Sequence, residues 1–547
     1  MQAISAALKA ALAGMGIEAE ASLEPTGDFA HGDLSSNAAM RHAKELGLAP
    51  RSLAEKLVAA LGTIEGVEKI DIAGPGFINF TLSSSAVRAA FSAPESEWGK
   101  GAALIGKKIL VEYTDPNPFK EFHIGHLVPN ALGESLSRLY EYAGAEVKRA
   151  NYQGDVGIHV AKSLFVQLEK GITEPTIADL AASYPEGSRR YEEDPAAKAA
   201  IDTLNKTIYE KSDERVNALY EKGRAVSLAE FERLYAILGT KFDFYFFESA
   251  TGPKGLEIVR AHLDVFVESD GAVVFKGEEH GLHTRVFVNK LGLPTYEAKE
   301  IGLARMKAES YPFDLTLTVT GNEQAEYFKV VMKAMELALP ELRGRLSFKT
   351  NGMLRFAEGK MSSRTGNVIT GASLLSELTD VARAHAEGSR ADDKALLAQQ
   401  VAVAAIKFQI LRSAMGKDMI FDRERALSLE GDSGPYLQYA HARAHTIMDK
   451  AREAGIASSF ADEPVSVVER HLYRFPEVVA RAAAELEPHH IATYLIDLSG
   501  YFNSWYAQEQ ILDGTPRAAH KVAIVDMVRR TLNRGLYILG IPAPEKM

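Results

Sequence analysis

Apolar residues recur along this chain with two periods, and the change from one to the other marks its elements. Ile4, Leu8, Ala11, Leu12 and Met15 fall on one helical face, which predicts an amphipathic helix over 2–16. A second helical pattern covers 51–61, and the Gly74-Pro75-Gly76 turn signal is followed by a strand pattern, Phe77 to Phe80. A polar connection runs from Ser92 to Gly99. The run Ile109-Leu110-Val111 then predicts a strand, and Leu127, Leu132, Leu136, Leu139 and Tyr140 predict a helix. That helix should stop at Gly144, a residue suited to a left-handed cap. A further strand is expected from Val147 to Asn151, which completes a strand–loop–helix–strand unit.

Later, Leu315 to Thr320 alternates with period two, Gly321-Asn322 breaks the pattern, and Tyr327, Val330, Val331 and Met335 resume the helical period. Strands separated by helices predict a parallel sheet. Roughly 165–285 reads as an insertion, charged and helical at first, with short strands near Val273–Phe275 and Val286–Val288. From about 376 the pattern is helical throughout, with aromatic clusters at Tyr436–Tyr439 and Tyr501–Tyr506. Three parts are expected: an α/β module over 1–100, a sheet domain over 101–375 and a helical domain over 376–547.

Composition changes this picture little: 46% hydrophobic and 25% charged residues are ordinary for a folded chain. No run of 18 uncharged apolar residues occurs, so no membrane span is expected. Lys9 interrupts the N-terminal apolar run, which favours an ordinary helix over a signal peptide. The absence of cysteine rules out disulfides and thiolate zinc sites and fits a cytoplasmic protein. A net charge of −11 argues against a DNA-coating protein. An RNA partner would need local basic strips, with Lys407, Arg412, Arg443, Arg529, Arg530 and Arg534 as candidates.

Chemistry concentrates in Asp115 to Leu127, D-P-N-P-F-K-E-F-H-I-G-H-L, at the start of the predicted helix. His123 and His126 are three residues apart and share a helix face. The first turn also offers free N–H groups and a positive dipole end, which suit phosphate. An isolated H-x-x-H could be a metal pair or two surface histidines; the strand before and after gives this one its weight. A second stretch, Gly359 to Asn367, is a Gly-, Ser- and Lys-rich loop. Lys360 offers a point charge, Ser362 and Ser363 hydroxyl donors, and Arg364 a planar fork. Gly101 to Lys108 nearly spells a phosphate-binding P-loop, but it lacks the final Ser or Thr and precedes a strand. The pairs His280/His283 and His489/His490 read as loop or surface residues, and no metal site built by the protein is expected.

H-I-G-H is the ATP signature of class I aminoacyl-tRNA synthetases, and G-K-M-S-S-R-T-G-N is similar to their second signature. Along nearly its whole length the chain resembles the arginyl-tRNA synthetase family. The resemblance rests further on His31 to Met40, Gly74 to Phe80, N-Y-Q-G-D-V-G from Asn151 to Gly157, G-P-Y-L-Q-Y-A-H-A-R from Gly434 to Arg443, and the tail G-I-P-A-P-E-K-M. It implies a Rossmann-like catalytic domain carrying an insertion, an N-terminal domain that contacts the outer corner of tRNA, and an anticodon-binding helical bundle. It implies ligation of L-arginine to tRNA(Arg) with ATP and Mg2+, tRNA being required for activation, by a cytoplasmic monomer that engages neither DNA nor membrane.

By motif, His123, His126, Lys120, Lys360 and Arg364 are expected to be catalytic. Gly125, Gly154, Asp155, Met361, Ser362 and Ser363 are expected to bind ATP. Glu112, Asn117, Tyr296, Glu300 and Gln324 are expected to hold arginine, whose five N–H donors call for carboxylates and carbonyl-type acceptors. Asn79, Tyr436, Gln438, Arg443, Trp505 and Met547 are expected at tRNA. Aromatic residues in such a bundle can equally pack its core. Three departures stand out: Glu300 where the family usually has Asp, Val156 for Trp, and Ser363 for Lys. Lys120, just before H-I-G-H, is expected to supply the charge that Ser363 lacks. Another class I synthetase, or a non-catalytic RNA-binding relative, is the alternative.

Overall fold

The computed structural model describes residues 2–20, 22–357 and 369–547, arranged in two compact units. One unit contains residues 100–439, 479–493 and 535–547. Its centre is a five-stranded sheet in the order Leu346–Asn351, Leu315–Gly321, Lys108–Glu112, Glu146–Gln153, Phe244–Phe247. Every neighbouring pair is parallel. Ile109, Leu110 and Val111 are buried, as expected of a central parallel strand covered on both faces. The strand order reverses at Lys108–Glu112, so a crevice opens at the carboxyl ends of the strands on its two sides. The signature helix, Ile124–Tyr142, buries Leu127, Leu132, Leu136 and Leu139, and Gly144 follows it in the left-handed region.

The stretch read as an insertion divides in two. Helices Ile158–Glu169, Ile177–Glu193, Pro195–Glu210 and Glu214–Leu238 share an apolar core of Val160, Leu164, Leu180, Ile201 and Leu219, which Phe119 joins. Phe244–Phe247, by contrast, is the edge strand of the parallel sheet, and Phe246 lies in the main core. Four consecutive aromatic residues carry no period, so sequence pattern could not assign this strand. The short strands expected near 273–275 and 286–288 occur, in a three-stranded antiparallel sheet. The region after 376 is helical except for Met419–Phe421, which pairs in parallel with Leu354–Phe356. Among the described residues one helix, Lys394–Leu411, is long and apolar enough to cross a membrane, and 67% of it is buried inside the protein.

The other unit joins residues 1–99 to 440–478 and 494–534. It holds a four-stranded antiparallel sheet in the order Glu24–Pro25, Leu34–Ser36, Phe77–Leu82, Val67–Ala73, with helices Gln2–Ala13 and Pro50–Leu61. Internal polar contacts tie its sequence-distant parts together. Arg88 meets Glu469 at 2.9 Å, Arg470 pairs with Asp33, and the Trp98 indole N–H donates to the Thr531 hydroxyl at 2.9 Å.

Candidate active site

The signature helix opens with two stacked imidazoles. The His123 and His126 rings lie 3.7 Å apart at 24°. His126 is buried, and its Nδ1 accepts the His123 backbone N–H at 3.2 Å. Burial pushes the His126 pKa well down, and nearby His123 and Lys120 add to it; His123 is lowered by the same causes. Both rings are therefore neutral at physiological pH, and they can offer N–H donors to a phosphate. Gly125 leaves room for this pair: a Cβ there would lie 2.7 Å from the His123 ring. Lys120 is half-buried, with Nζ 5.0 Å from the centre of the Tyr184 ring, which belongs to the inserted helices.

Lys360, Met361, Ser362, Ser363 and Arg364 lie outside the described residues. The chain just after them is described and reaches the signature helix. Thr370 forms an antiparallel bridge with His123, and the Gly371 N–H donates to the Phe122 carbonyl at 2.7 Å.

At the carboxyl end of the central strand lies a cavity of about 400 Å³, lined by acids and tyrosines. Glu112, Asp115, Glu297 and Glu300 face it, with Tyr152, Tyr296, Tyr327 and Gln324. Glu112 ends the central strand; it takes Lys307 Nζ at 2.6 Å and the Thr318 hydroxyl at 3.2 Å. Glu297 meets Arg285 at 3.5 Å. Among the described residues, neither Asp115 nor Glu300 has a cation at ion-pair distance. Burial and the Glu112 charge push the Glu300 pKa up to about 8, and the same two causes raise Asp115 well above the usual carboxylate range. A cationic ligand would relieve this. A guanidinium–carboxylate contact at 4 Å is worth about 4 kcal/mol at an effective dielectric of 20. A neutral hydrogen bond contributes only about 0.5–1.5 kcal/mol, so this pocket selects for charge before shape.

Sequence reading missed Asp115 and Lys307. Asp115 stands inside the quoted motif, but its role depends on a left-handed backbone, φ +47°, that turns it back to accept the Tyr152 N–H at 2.7 Å. Asn117, expected in the pocket, packs its amide oxygen against Gly154, where a Cβ would come within 2.2 Å of it. Asp155 is fully buried and accepts from Ser249 N–H and hydroxyl, Tyr220 hydroxyl and Arg224 Nε. It therefore braces the strand ends. Val156 packs into the core of the inserted helices.

The residues expected at tRNA divide between the two units. Asn79 lines a cavity of about 420 Å³ with His31, Asn37 and Phe77. Arg443 lies over the Tyr506 ring at 5.4 Å and bonds Asn503, while Trp505 and Tyr436 are half-buried. Gln438 is fully buried, its amide N–H groups donating to the Gln400 and Pro542 carbonyls, so it holds the C-terminal segment and shows no edge to solvent. Met547 is half-buried. Lys407, expected on a basic strip, is fully buried, because its helix lies in the core. Arg529 and Arg530 are paired with Asp526 and Glu95.

Comparison with known proteins gives a consistent result. Residues 95–423 match the family described as tRNA synthetases class I (R), catalytic domain. Residues 2–82 match the arginyl tRNA synthetase N terminal domain, and 437–547 match the DALR anticodon binding domain. An arginine–tRNA ligase of Lactococcus lactis subsp. lactis is 30% identical, with 100% of this chain and 99% of the relative covered. One from Clostridium beijerinckii is 30% identical over 91% of each chain. The solved Thermus thermophilus arginyl-tRNA synthetase is similar across 100% of both chains, with a TM-score of 0.83 and 28% identity.

Proposed function

The chain belongs to the arginyl-tRNA synthetase family, and from that premise we propose that it joins L-arginine to tRNA(Arg) in two steps at the crevice beside its central strand. In the first step the arginine carboxylate attacks the α-phosphate of ATP in line, forming arginyl-adenylate and releasing pyrophosphate. The protein supplies position and charge stabilisation. The acidic pocket holds the guanidinium through Glu300, flanked by Tyr296 and Gln324, while Glu112 and Asp115 line its strand-end side. The neutral imidazoles of His123 and His126 donate to the phosphates. Lys120, with Lys360 and Arg364 from the second signature, balances the leaving pyrophosphate. Mg2+ would come with the triphosphate and supply charge neutralisation there, since among the described residues no group of three His, Asp or Glu is clustered to hold it. In the second step the 2′-hydroxyl of the terminal adenosine attacks the arginyl carbonyl and AMP leaves.

One observation carries this reading: an acid-lined pocket, with two carboxylates that have no cation at ion-pair distance among the described residues, lies at the end of the central strand that leads into a phosphate-suited helix start. The bridge from Thr370 to His123 supports convergence of the second signature on the same place. The reading extends to a cytoplasmic monomer. The test is aminoacylation of total tRNA with each of the twenty amino acids, alongside pyrophosphate exchange with and without tRNA. Arginine alone should be charged, and exchange should need tRNA. Charging of a different amino acid, or of none, overturns the assignment.

A further inference from the structure

The signature helix carries a second polar site on its buried side. Glu134 is 3% exposed. Its carboxylate accepts the Tyr113 hydroxyl at 2.6 Å, Arg138 Nε at 2.7 Å, and Arg149 Nε and Nη2 at 3.1 and 3.2 Å. Burial opposes ionisation, yet Arg138 and Arg149 outweigh it and hold the Glu134 pKa down to about 2. Each partner also reaches elsewhere. Tyr113 sits between Glu112 and Thr114, and Thr114 and Asp115 adopt left-handed φ values of +80° and +47° that turn the chain into the arginine pocket. Arg138 donates onward to the carbonyls of Gly239 at 3.1 Å and Tyr537 at 2.6 Å.

The C-terminal segment rests on this cluster. Lys407 Nζ donates to the Gly540 carbonyl at 2.9 Å. Gly540 has φ +65°, and a Cβ there would lie 2.7 Å from Lys407 Nζ and 3.6 Å from Glu134 Cγ. Burial and the charge of Arg138 push the Lys407 amine down to about 7, against the pull of Glu134. The Gln438 amide fixes Pro542 from the same unit. Such a cluster is a poor source of stability. Desolvation costs several kcal/mol per ion, and apolar replacements of buried ion pairs are often neutral or better. What it gives is fixed geometry, and Tyr113 is the member that adjoins the pocket.

We propose that the Glu134 cluster is a positioning device: through Tyr113 it sets the Thr114–Asp115 turn of the arginine pocket according to how the C-terminal segment is seated on Lys407. This rests on the arginylation reading. Tyr113, Glu134 and Lys407 are positioning residues and touch no reacting atom.

The test uses the full chain carrying Lys407→Met, Tyr113→Phe, or both, with arginine titrated in tRNA-dependent pyrophosphate exchange. Each single variant should raise the arginine KM by about 5- to 10-fold, in the range of ordinary site-to-site coupling, with the ATP KM within about 2-fold. The double variant should be no worse than the larger single one, because both act through one carboxylate. Gly540→Ala, which removes no ionisable group, should reproduce the arginine KM shift. It carries the test if Lys407→Met fails to fold. An unchanged arginine KM with a lowered melting temperature, or effects that multiply in the double variant, overturns the proposal. Failure of the arginylation reading looks different: the unaltered chain would then show no arginine-dependent exchange.

Discussion

The two sides of the crevice solve opposite electrostatic problems with different residues. On one side a cation must be taken out of water, and the protein provides four carboxylates, two of them with no cation at ion-pair distance among the described residues. Their mutual repulsion and burial raise the pKa values of Glu300 and Asp115, and a bound guanidinium would favour their ionised forms. On the other side a polyanion must be held and then partly released. There the two imidazoles are kept neutral, one lysine stands ready, and the helix start supplies N–H groups. The contrast teaches that the strand-order reversal does more than make space: the central strand ends in an acid-rich pocket, and the helix that follows it opens with the donor-rich imidazole pair.

The contrast can be broken from either side. Glu300→Gln keeps shape and removes charge. Truncating one partner of a buried charge pair costs about 2–5 kcal/mol, so kcat/KM for arginine should fall by about 10²- to 10³-fold in pyrophosphate exchange, with the ATP KM little changed. Lys120→Ala attacks the donor wall and should lower the activation rate by about 10- to 100-fold in single-turnover measurements, sparing the arginine KM. A loss of less than 2-fold would remove Lys120 from the phosphate site.

The acid wall should also respond to pH. In the free protein burial and the Glu112 charge push the Glu300 pKa up to about 8, and bound arginine would favour its ionised form. Below pH 8 binding must therefore expel a proton. The arginine KM should rise as pH falls, by up to about 10-fold per unit, and Glu300→Gln should flatten the dependence. The smallest effect is expected at Tyr184, whose ring faces Lys120. A cation–π contact contributes about 0.5–1 kcal/mol at such a site, so Tyr184→Leu should change the activation rate by about 2- to 5-fold.

Much of this was legible in the chain because it depends on local pattern. The central strand, the signature helix and its cap at Gly144 follow from apolar period and one glycine, and helix Pro50–Leu61 was readable the same way. What escaped depends on tertiary placement. Phe244–Phe247 is a strand only because an open sheet edge accepts it. Lys307 reaches Glu112 from 195 residues away, a pairing no spacing rule contains. Lys407 and Gln438 carry polar side chains, so sequence alone placed them toward solvent or RNA, whereas the core closes over both and uses them to hold backbone carbonyls. Asp115 was visible as a letter in the motif, but not as a pocket wall, since that needs a left-handed turn.

The most direct test of the charge-first pocket compares arginine with citrulline, which has nearly the same shape and a neutral ureido group, in tRNA-dependent pyrophosphate exchange. The account predicts that citrulline is activated at least about 10³-fold less efficiently, because Glu300 and its neighbours would be left without a cation. Citrulline exchange within about 10-fold of arginine would contradict it.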